Sequence, residues 1–149
     1  MTARLAGACL CLALCLGACS PKPSADEQIR AAIGQLEAHG EKGERRAFMA
    51  GVADDFTAQQ GSLSRDEFRA LLIIQWNRYR RLSAQLGPIS VHLTSDTEAQ
   101  ARFQALITGG QGLIPENGQL YDIRTRWRKV DGDWLLAGAD WKPVLDGNR

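Results

Sequence analysis

Near its carboxyl end the chain carries the sequence YDIRTRWRKVDGDWLLAGADW, residues 121–141. Its first part alternates bulky or apolar side chains with charged ones, which is the period of a strand with one buried face. Asp131-Gly132 then supplies the residues preferred in a two-residue hairpin turn, where both central positions need positive φ. We therefore expect two antiparallel strands joined by a tight turn, the second spanning residues 134–141.

The segments that precede this hairpin show the same alternation. Ile89, Val91 and Leu93 alternate with polar neighbours, and residues 98–107 continue the pattern up to a glycine-rich loop at residues 109–118. Successive strands of this kind, joined by short connections, form an antiparallel meander. Most of the second half of the chain is therefore expected to be one sheet.

The first half of the chain is expected to be helical. Ser24 and Ser64 are each followed three residues later by glutamate, and this capping box marks a helix start. Apolar spacing predicts helices over residues 25–40, 42–53 and 65–85, with a short strand at 56–59. Helices followed by a meander indicate an α+β fold, in which helices cover one face of a curved antiparallel sheet.

Residues 1–18 have the layout of a secretory signal. A basic start at Arg4 is followed by an apolar run over residues 5–16, too short to span a bilayer, and then by small residues. Residues 16–19, LGAC, resemble the lipobox of bacterial lipoproteins. That resemblance implies cleavage before Cys19, a diacylglycerol on its thiol and acylation of the new amine. The alternative is an ordinary signal peptide that is cut near Ala18.

The same resemblance implies where the protein would work. Ser20 follows the cysteine in place of the aspartate that retains many lipoproteins in the inner membrane. We therefore expect an outer-membrane anchor facing the periplasm of a Gram-negative bacterium, with the membrane as a partner through the acyl chains. Residues 19–24, stiffened by Pro21 and Pro23, would form the lipidated tether, and residues 25–149 would form one domain.

Composition excludes several functional classes. Three of the four cysteines lie in residues 1–18 and the fourth is Cys19, so the domain would hold no disulfide, cysteine metal site or cysteine nucleophile. The chain carries 18 basic and 17 acidic side chains, and Arg4 would leave with the signal, so no basic excess indicates nucleic-acid binding. No phosphate-binding glycine loop, His-x-x-x-His spacing or serine nucleophile elbow is present, and neither a cofactor nor a metal is expected.

Two short motifs carry a family resemblance. The sequence ADDF, residues 53–56, follows a predicted helix, and WRKVDGDW, residues 127–134, closes the sheet. In this order they resemble the nuclear transport factor 2-like superfamily, which includes ketosteroid isomerase and polyketide-cyclase-like domains. The resemblance implies a cone, or cystatin-like roll: a bent sheet wraps around helices and leaves a pocket at its open end, often in a homodimer. The same cone serves enzymes and non-catalytic adaptors, so the fold does not fix an activity.

Asp54 and His92 are candidates for catalysis. Asp54 and its neighbour Asp55 are expected at the end of the second helix, where like charge could raise one pKa and create a general base. The alternative is that one carboxylate bonds nearby backbone and the other is solvated. His92 could be an acid/base group near neutral pH if its strand face is concave, and is otherwise a surface residue.

Asp140, Trp76 and Tyr79 are candidates for ligand binding, and Asp140 and Tyr79 are also candidates for catalysis. Asp140 lies an even number of residues after Trp134 and Leu136 on the last strand, so a regular strand would place all three on one face. If that face points inward, Asp140 would be desolvated and its pKa raised. Trp76 and Tyr79 lie three residues apart on the third predicted helix and could line a pocket for a flat or apolar ligand. Ordinary core packing is the alternative for both.

Arg124, Arg126 and Arg128 form a basic stripe on one face of a predicted strand. The stripe could bind phosphates, carboxylates or an acidic protein. Asp96 and Glu98, on the preceding strand, could instead pair with it across the sheet.

Three functional hypotheses follow. No catalytic constellation can be recognised, which favours a non-catalytic binding or scaffold lipoprotein that holds a small apolar ligand or docks an envelope protein. The alternative is an isomerase- or cyclase-type enzyme with Asp140 or Asp54 as base and Tyr79 or His92 assisting. In the third hypothesis, the arginine stripe engages an anionic surface.

Overall fold

The computed structural model describes residues 21–111 and 117–144. The predicted signal, Cys19 and part of the predicted 109–118 loop lie outside these ranges. In chain order the elements are α1 (Ala25–Lys42), α2 (Arg45–Ala50), β1 (Val52–Ala58), β2 (Leu63–Ser64), α3 (Arg65–Arg78), β3 (Arg81–Leu86), β4 (Ser90–Leu93), β5 (Glu98–Gly110), β6 (Asn117–Val130) and β7 (Asp133–Pro143). Among the described helices, none combines the length and apolar character needed to cross a bilayer.

The strands form one curved sheet in the order β2-β1-β7-β6-β5-β3, with β4 also paired to β5. All pairings are antiparallel except that between β1 and β7. Helices α1 and α3 pack against the concave face. The predicted α+β class, with a curved antiparallel sheet around N-terminal helices, is confirmed.

Both predicted capping boxes are present. In α1 the Ser24 hydroxyl accepts from the Glu27 backbone N–H at 3.2 Å, and the Glu27 carboxylate accepts from the Ser24 N–H at 2.7 Å. The same reciprocal pair joins Ser64 and Glu67 at the start of α3. These bonds satisfy backbone donors that the first helical turn leaves without partners.

The first helix starts at Ala25 as predicted, but its predicted end and the predicted boundaries of the second helix and the first strand were wrong. Helix α1 continues past Gly40 to Lys42, because Gly43 supplies the left-handed cap with φ 67°. Because α1 ends at this cap, α2 begins only at Arg45 and ends at Ala50. The next segment is extended and forms β1 over Val52–Ala58, longer than the strand predicted at 56–59.

The third predicted helix was too long. Helix α3 ends at Arg78, and Tyr79 is extended with φ −116° and ψ 125°. The following residues form β3, in which Ala84 lies opposite Ile107 of β5. Leu82 continues the helical apolar spacing, but pairing with a strand more than twenty residues away decides the conformation.

The closing hairpin is confirmed. Asp131 and Gly132 have φ values of 51° and 94°, as a two-residue turn of this type requires. At the predicted 109–118 loop, β5 continues to Gly110 and β6 begins at Asn117, which lies opposite Gly109.

A β-bulge in β7 reverses the face on which its last residues lie. Trp127 lies opposite Leu136, whereas its neighbour Arg126 lies opposite Gly138. Ala137 is therefore an extra residue in β7. Because side chains alternate between faces, every residue beyond Ala137 changes face relative to a regular strand.

Candidate functional site

A cavity of about 720 Å³ lies between the two longer helices and the concave face of the sheet. Aromatic side chains dominate its wall. The sequence holds four Phe, four Trp and two Tyr, and all of these except Phe56 and Trp134 line the cavity. Aliphatic residues such as Leu72, Leu82 and Ile107 also line the cavity.

The cone has two unlike ends. The packed end is the buried cluster around Ile29, Ile33, Phe56 and Phe68, in which the Phe56 and Phe68 ring centroids lie 4.7 Å apart. The open end is the cavity mouth, where the lining residues Glu41, Asn117, Gly118 and Gln119 are exposed.

The predicted ligand-binding pair Trp76 and Tyr79 does line the cavity. The Trp76 Nε1–H donates to the Gly40 carbonyl at 2.7 Å, which joins α3 to α1. The Tyr79 ring lies directly over Gly109, where a β-carbon would come within 2.8 Å of the ring. Glycine at this position therefore makes room for the tyrosine, an arrangement that the helical interpretation of Tyr79 did not anticipate.

Glu37 is a cavity residue that the sequence interpretation missed. It lies on α1, is half-buried and lines the cavity. Burial, reinforced by the nearby Glu41 charge, raises the pKa of the Glu37 carboxyl. Within residues 21–111 and 117–144 its carboxylate has no hydrogen-bond or ion-pair partner. A signal existed: Ile29, Ile33, Glu37 and Glu41 follow one another at four-residue steps, so the two acids continue the buried stripe of α1.

Glu41 has partners, in contrast to Glu37. Its Oε1 accepts from the Ser83 hydroxyl and from the Ala84 backbone N–H, both at 2.8 Å. These bonds attach α1 to β3 at the open end. Among the described lining residues, Glu37 is therefore the acidic group that remains available to a ligand.

Asp140 does not point into the cavity. It follows the bulge at Ala137, so its neighbours Ala139 and Trp141 face the cavity and Asp140 lies on the outer face. Its Oδ1 accepts from the Gln60 backbone N–H at 2.7 Å. The inward orientation on which the candidacy of Asp140 depended does not occur, because the bulge places Asp140 on the face opposite to that of Trp134 and Leu136.

Asp54 and His92 also lie outside the cavity wall. Asp54 and Asp55 belong to β1 rather than to the end of α2, and both are exposed. The hydrogen bond from Arg128 to Asp55 at 2.7 Å lowers the pKa of Asp55, the opposite of the expected rise. His92 is exposed on β4, opposite Gln100. Of the four catalytic candidates, the structure places Tyr79 alone on the wall of the cavity.

Two arginines of the basic stripe form polar contacts with residues of β1. Arg128 is held by Asp55, and Arg126 passes over Gly138 to donate to the Thr57 hydroxyl at 3.1 Å. Both contacts reach from β6 across β7 to β1. Glu98 lies opposite Arg128 across the sheet, but the ion pair of Arg128 is with Asp55. Arg124 lies opposite Arg102 and Asp140, and no ion pair to it occurs within the described ranges.

Among the described residues, no group of three or more His, Cys, Asp or Glu side chains is arranged to hold a metal ion. The described wall of the cavity instead offers aromatic faces, aliphatic groups, the unpaired carboxylate of Glu37 and the polar side chains of its mouth. Such a surface can exclude water from an apolar molecule while orienting it through few polar contacts.

Neither the search of protein-family models nor the search of curated proteins finds a match for this sequence. Solved structures do match. A nuclear transport factor 2-like protein of unknown function from Pseudomonas putida KT2440 superposes with a TM-score of 0.69 at 16% identity, covering 84% of this chain and 96% of that chain. A protein from Novosphingobium aromaticivorans provisionally described as a scytalone dehydratase gives 0.67 at 18% identity, covering 79% and 83%.

A third structure, provisionally described as a dehydratase of the nuclear transport factor 2-like family from Streptomyces avermitilis, gives a TM-score of 0.69 at 19% identity, covering 80% of this chain and 95% of that chain. Identities this low show the fold alone. The chain has the cystatin-like fold found in nuclear transport factor 2-like proteins, and the fold implied by the sequence resemblance is confirmed.

Proposed function

We propose that this protein is a lipid-anchored binding protein of the outer membrane, whose cone takes up a small apolar molecule on the periplasmic side without transforming it. The cavity carries this proposal. Its volume of about 720 Å³ lies within the range of small-molecule sites, roughly 300–1,000 Å³. A cone used only as a scaffold would gain stability from filling this space, since voids in a core are destabilising.

The anchor is supported by the sequence. The LGAC motif at residues 16–19 coincides with the end of the apolar run, and helix α1 begins at Ala25, which leaves only residues 20–24 between Cys19 and the domain. Mass spectrometry of the amino-terminal peptide should find Cys19 diacylglycerylated in the native protein. An unmodified Cys19 at the mature amino terminus would refute the anchor.

Ligand uptake can be tested with N-phenyl-1-naphthylamine, a neutral apolar dye that fluoresces when it leaves water. The purified protein, held below the critical micelle concentration of its detergent, should bind the dye saturably. Ile107→Trp places a large ring in the cavity and should weaken dye binding roughly tenfold or more, since each 1.4 kcal/mol changes affinity tenfold.

Ile74→Trp is the matched control, because Ile74 is 59% exposed on α3 and does not line the cavity. This variant should bind the dye as the wild type does. Absence of saturable binding to the wild-type protein, or equal binding by Ile107→Trp, would refute uptake in the cone.

An isomerase- or cyclase-type enzyme is the second candidate function. The observation that favours it is Glu37, a cavity carboxyl whose raised pKa suits a general base. A base at this position should exchange the α-protons of an apolar ketone with D₂O faster than buffer does, and Glu37→Gln should abolish that excess rate. Exchange no faster than in buffer would exclude this role for Glu37 toward such ketones.

A further inference from the structure

Among the residues that the structure describes, the charged groups on the cavity wall are all of one sign. Among the described lining residues the acidic side chains are Glu37 and Glu41, and no lysine, arginine or histidine lines the cavity. The whole chain is nearly balanced, with 18 basic and 17 acidic side chains. The negative character therefore belongs to the cavity and does not follow from overall composition.

The charge of Glu37 is not compensated by any group among the described residues. Its carboxylate is half-buried, has no protein partner within the described ranges and lies one helical turn from Glu41. Burial of a charge without a partner is unfavourable, and a second like charge adds to that cost. A positive group delivered by a ligand would relieve both terms, whereas a carboxylate or phosphate would increase them.

The rings beside this turn of α1 supply a second feature that suits a cation. The Phe48 ring lies 3.6 Å from the position that a β-carbon on Gly40 would take, and Trp76 donates to the Gly40 carbonyl. Phe48 and Trp76 meet edge to face with centroids 5.8 Å apart. Aromatic faces attract ammonium groups, and desolvation strengthens that attraction.

We propose that the cavity selects an organic cation, an apolar molecule that carries a protonated amine, and that Glu37 pairs with the amine while the aromatic wall surrounds its apolar body. The inference rests on the proposed binding function and adds the charge of the ligand. It also predicts that fatty acids and other anionic amphiphiles are poor ligands. Arg45 and Arg78, which stack on the rings of Trp76 and Tyr79, do not line the cavity.

The test compares three probes of equal chain length, octylamine, octanol and octanoate, as competitors of N-phenyl-1-naphthylamine on the purified protein. Octylamine should displace the dye at a concentration roughly tenfold or more below that of octanol, as a hydrogen bond to a charged group implies. Octanoate should be weaker than octanol.

Glu37→Gln should lose the preference for the amine while keeping its affinity for octanol. Glu37→Asp, which retains the charge, should keep a preference for the amine. The matched control is Asp54→Asn, which removes an exposed carboxylate outside the cavity and should behave as the wild type.

The outcomes separate the two proposals. If neither the dye nor octanol binds the wild-type protein, the binding function fails and the charge preference fails with it. If octanol binds but octylamine is no better, or if the amine preference survives in Glu37→Gln, the cation inference is overturned while the binding function stands.

Discussion

The packed end and the open end of the cone are built from the same elements. Helix α1 contributes Ile29 and Ile33 to the packed end and Glu37 and Glu41 to the open end. Strand β5 likewise contributes Ala99 and Ala101 to the first and Ile107 to the second.

The difference between the ends lies in side-chain chemistry and not in backbone architecture. One continuous stripe on α1 changes from isoleucine to glutamate along a single helix face. Where the stripe is apolar, Ile29 and Ile33 are buried. Where it becomes acidic, Glu37 is half-buried on the cavity wall and Glu41 is exposed at the mouth. We therefore expect the packed end to contribute more to stability than the open end.

The largest effect should come from emptying the packed end. Phe56 is 1% exposed, so Phe56→Ala should reduce the free energy of unfolding by about 3–5 kcal/mol. Leu82→Ala, at the open end, should cost about 1 kcal/mol or less, because part of the leucine side chain already faces empty space. Urea denaturation of both variants measures the contrast, and equal losses would show that the two ends contribute alike.

A smaller effect should follow from removing the hydrogen bond across the open end. Trp76→Phe deletes the donor to the Gly40 carbonyl and should cost about 1 kcal/mol. Trp141→Phe is the control, since this lining tryptophan has no partner for its Nε1–H among the described residues. If both variants lose the same free energy of unfolding, the Trp76 hydrogen bond does not stabilise the open end.

At Glu37 the substitution should increase stability. Because folding raises the pKa of Glu37, its ionisation opposes folding as pH rises through the ordinary value and then the folded value. Glu37→Gln should therefore raise the free energy of unfolding at pH 7, by less than about 1 kcal/mol since solvent screens a half-buried group. Thermal unfolding at pH 7 checks the sign, and a less stable Glu37→Gln would mean that the charge has a protein partner.

Asp55 should give the smallest effect and the opposite sign. The hydrogen bond from Arg128 lowers its pKa below the ordinary value of 3.8, so the stability it adds is present above that value and is lost as pH falls through the folded pKa. Asp55→Asn should cost less than about 1 kcal/mol at pH 7, because the pair is exposed. The difference from wild type should vanish in acid, and a difference that persists there would exclude the ion pair as its cause.

Local signals sufficed for the class of fold and for several element boundaries. The capping boxes at Ser24 and Ser64 and the turn at Asp131-Gly132 are decided within a few residues, so their sequence reports them directly. The conformation of the segment after Arg78 is set by its pairing with β5. The spacing of apolar residues within the segment carries no information about that pairing. Leu82 satisfied the helical pattern and still belongs to a strand.

The candidate site was harder to predict because it depends on which face of a helix or strand each side chain occupies. Trp76 and Tyr79 line the cavity, as the pocket interpretation required, although Tyr79 reaches it from extended backbone. The face of Asp140 could not be predicted, because one extra residue at Ala137 shifts the alternation of side chains and no local pattern marks that bulge. Glu37 was missed because charged residues are expected on the solvent side of a helix, whereas here two of them continue its inner stripe.

The direction of α1 has a geometric consequence for the proposed anchor. The helix starts at Ala25 beside the tether and reaches Glu41 at the cavity mouth about 24 Å later, at 1.5 Å per residue. A protein fixed to the bilayer through Cys19 would thus hold its entrance on the side remote from the attachment point. A ligand would then enter from the aqueous compartment, or be transferred by another protein there, and would not enter directly from the bilayer.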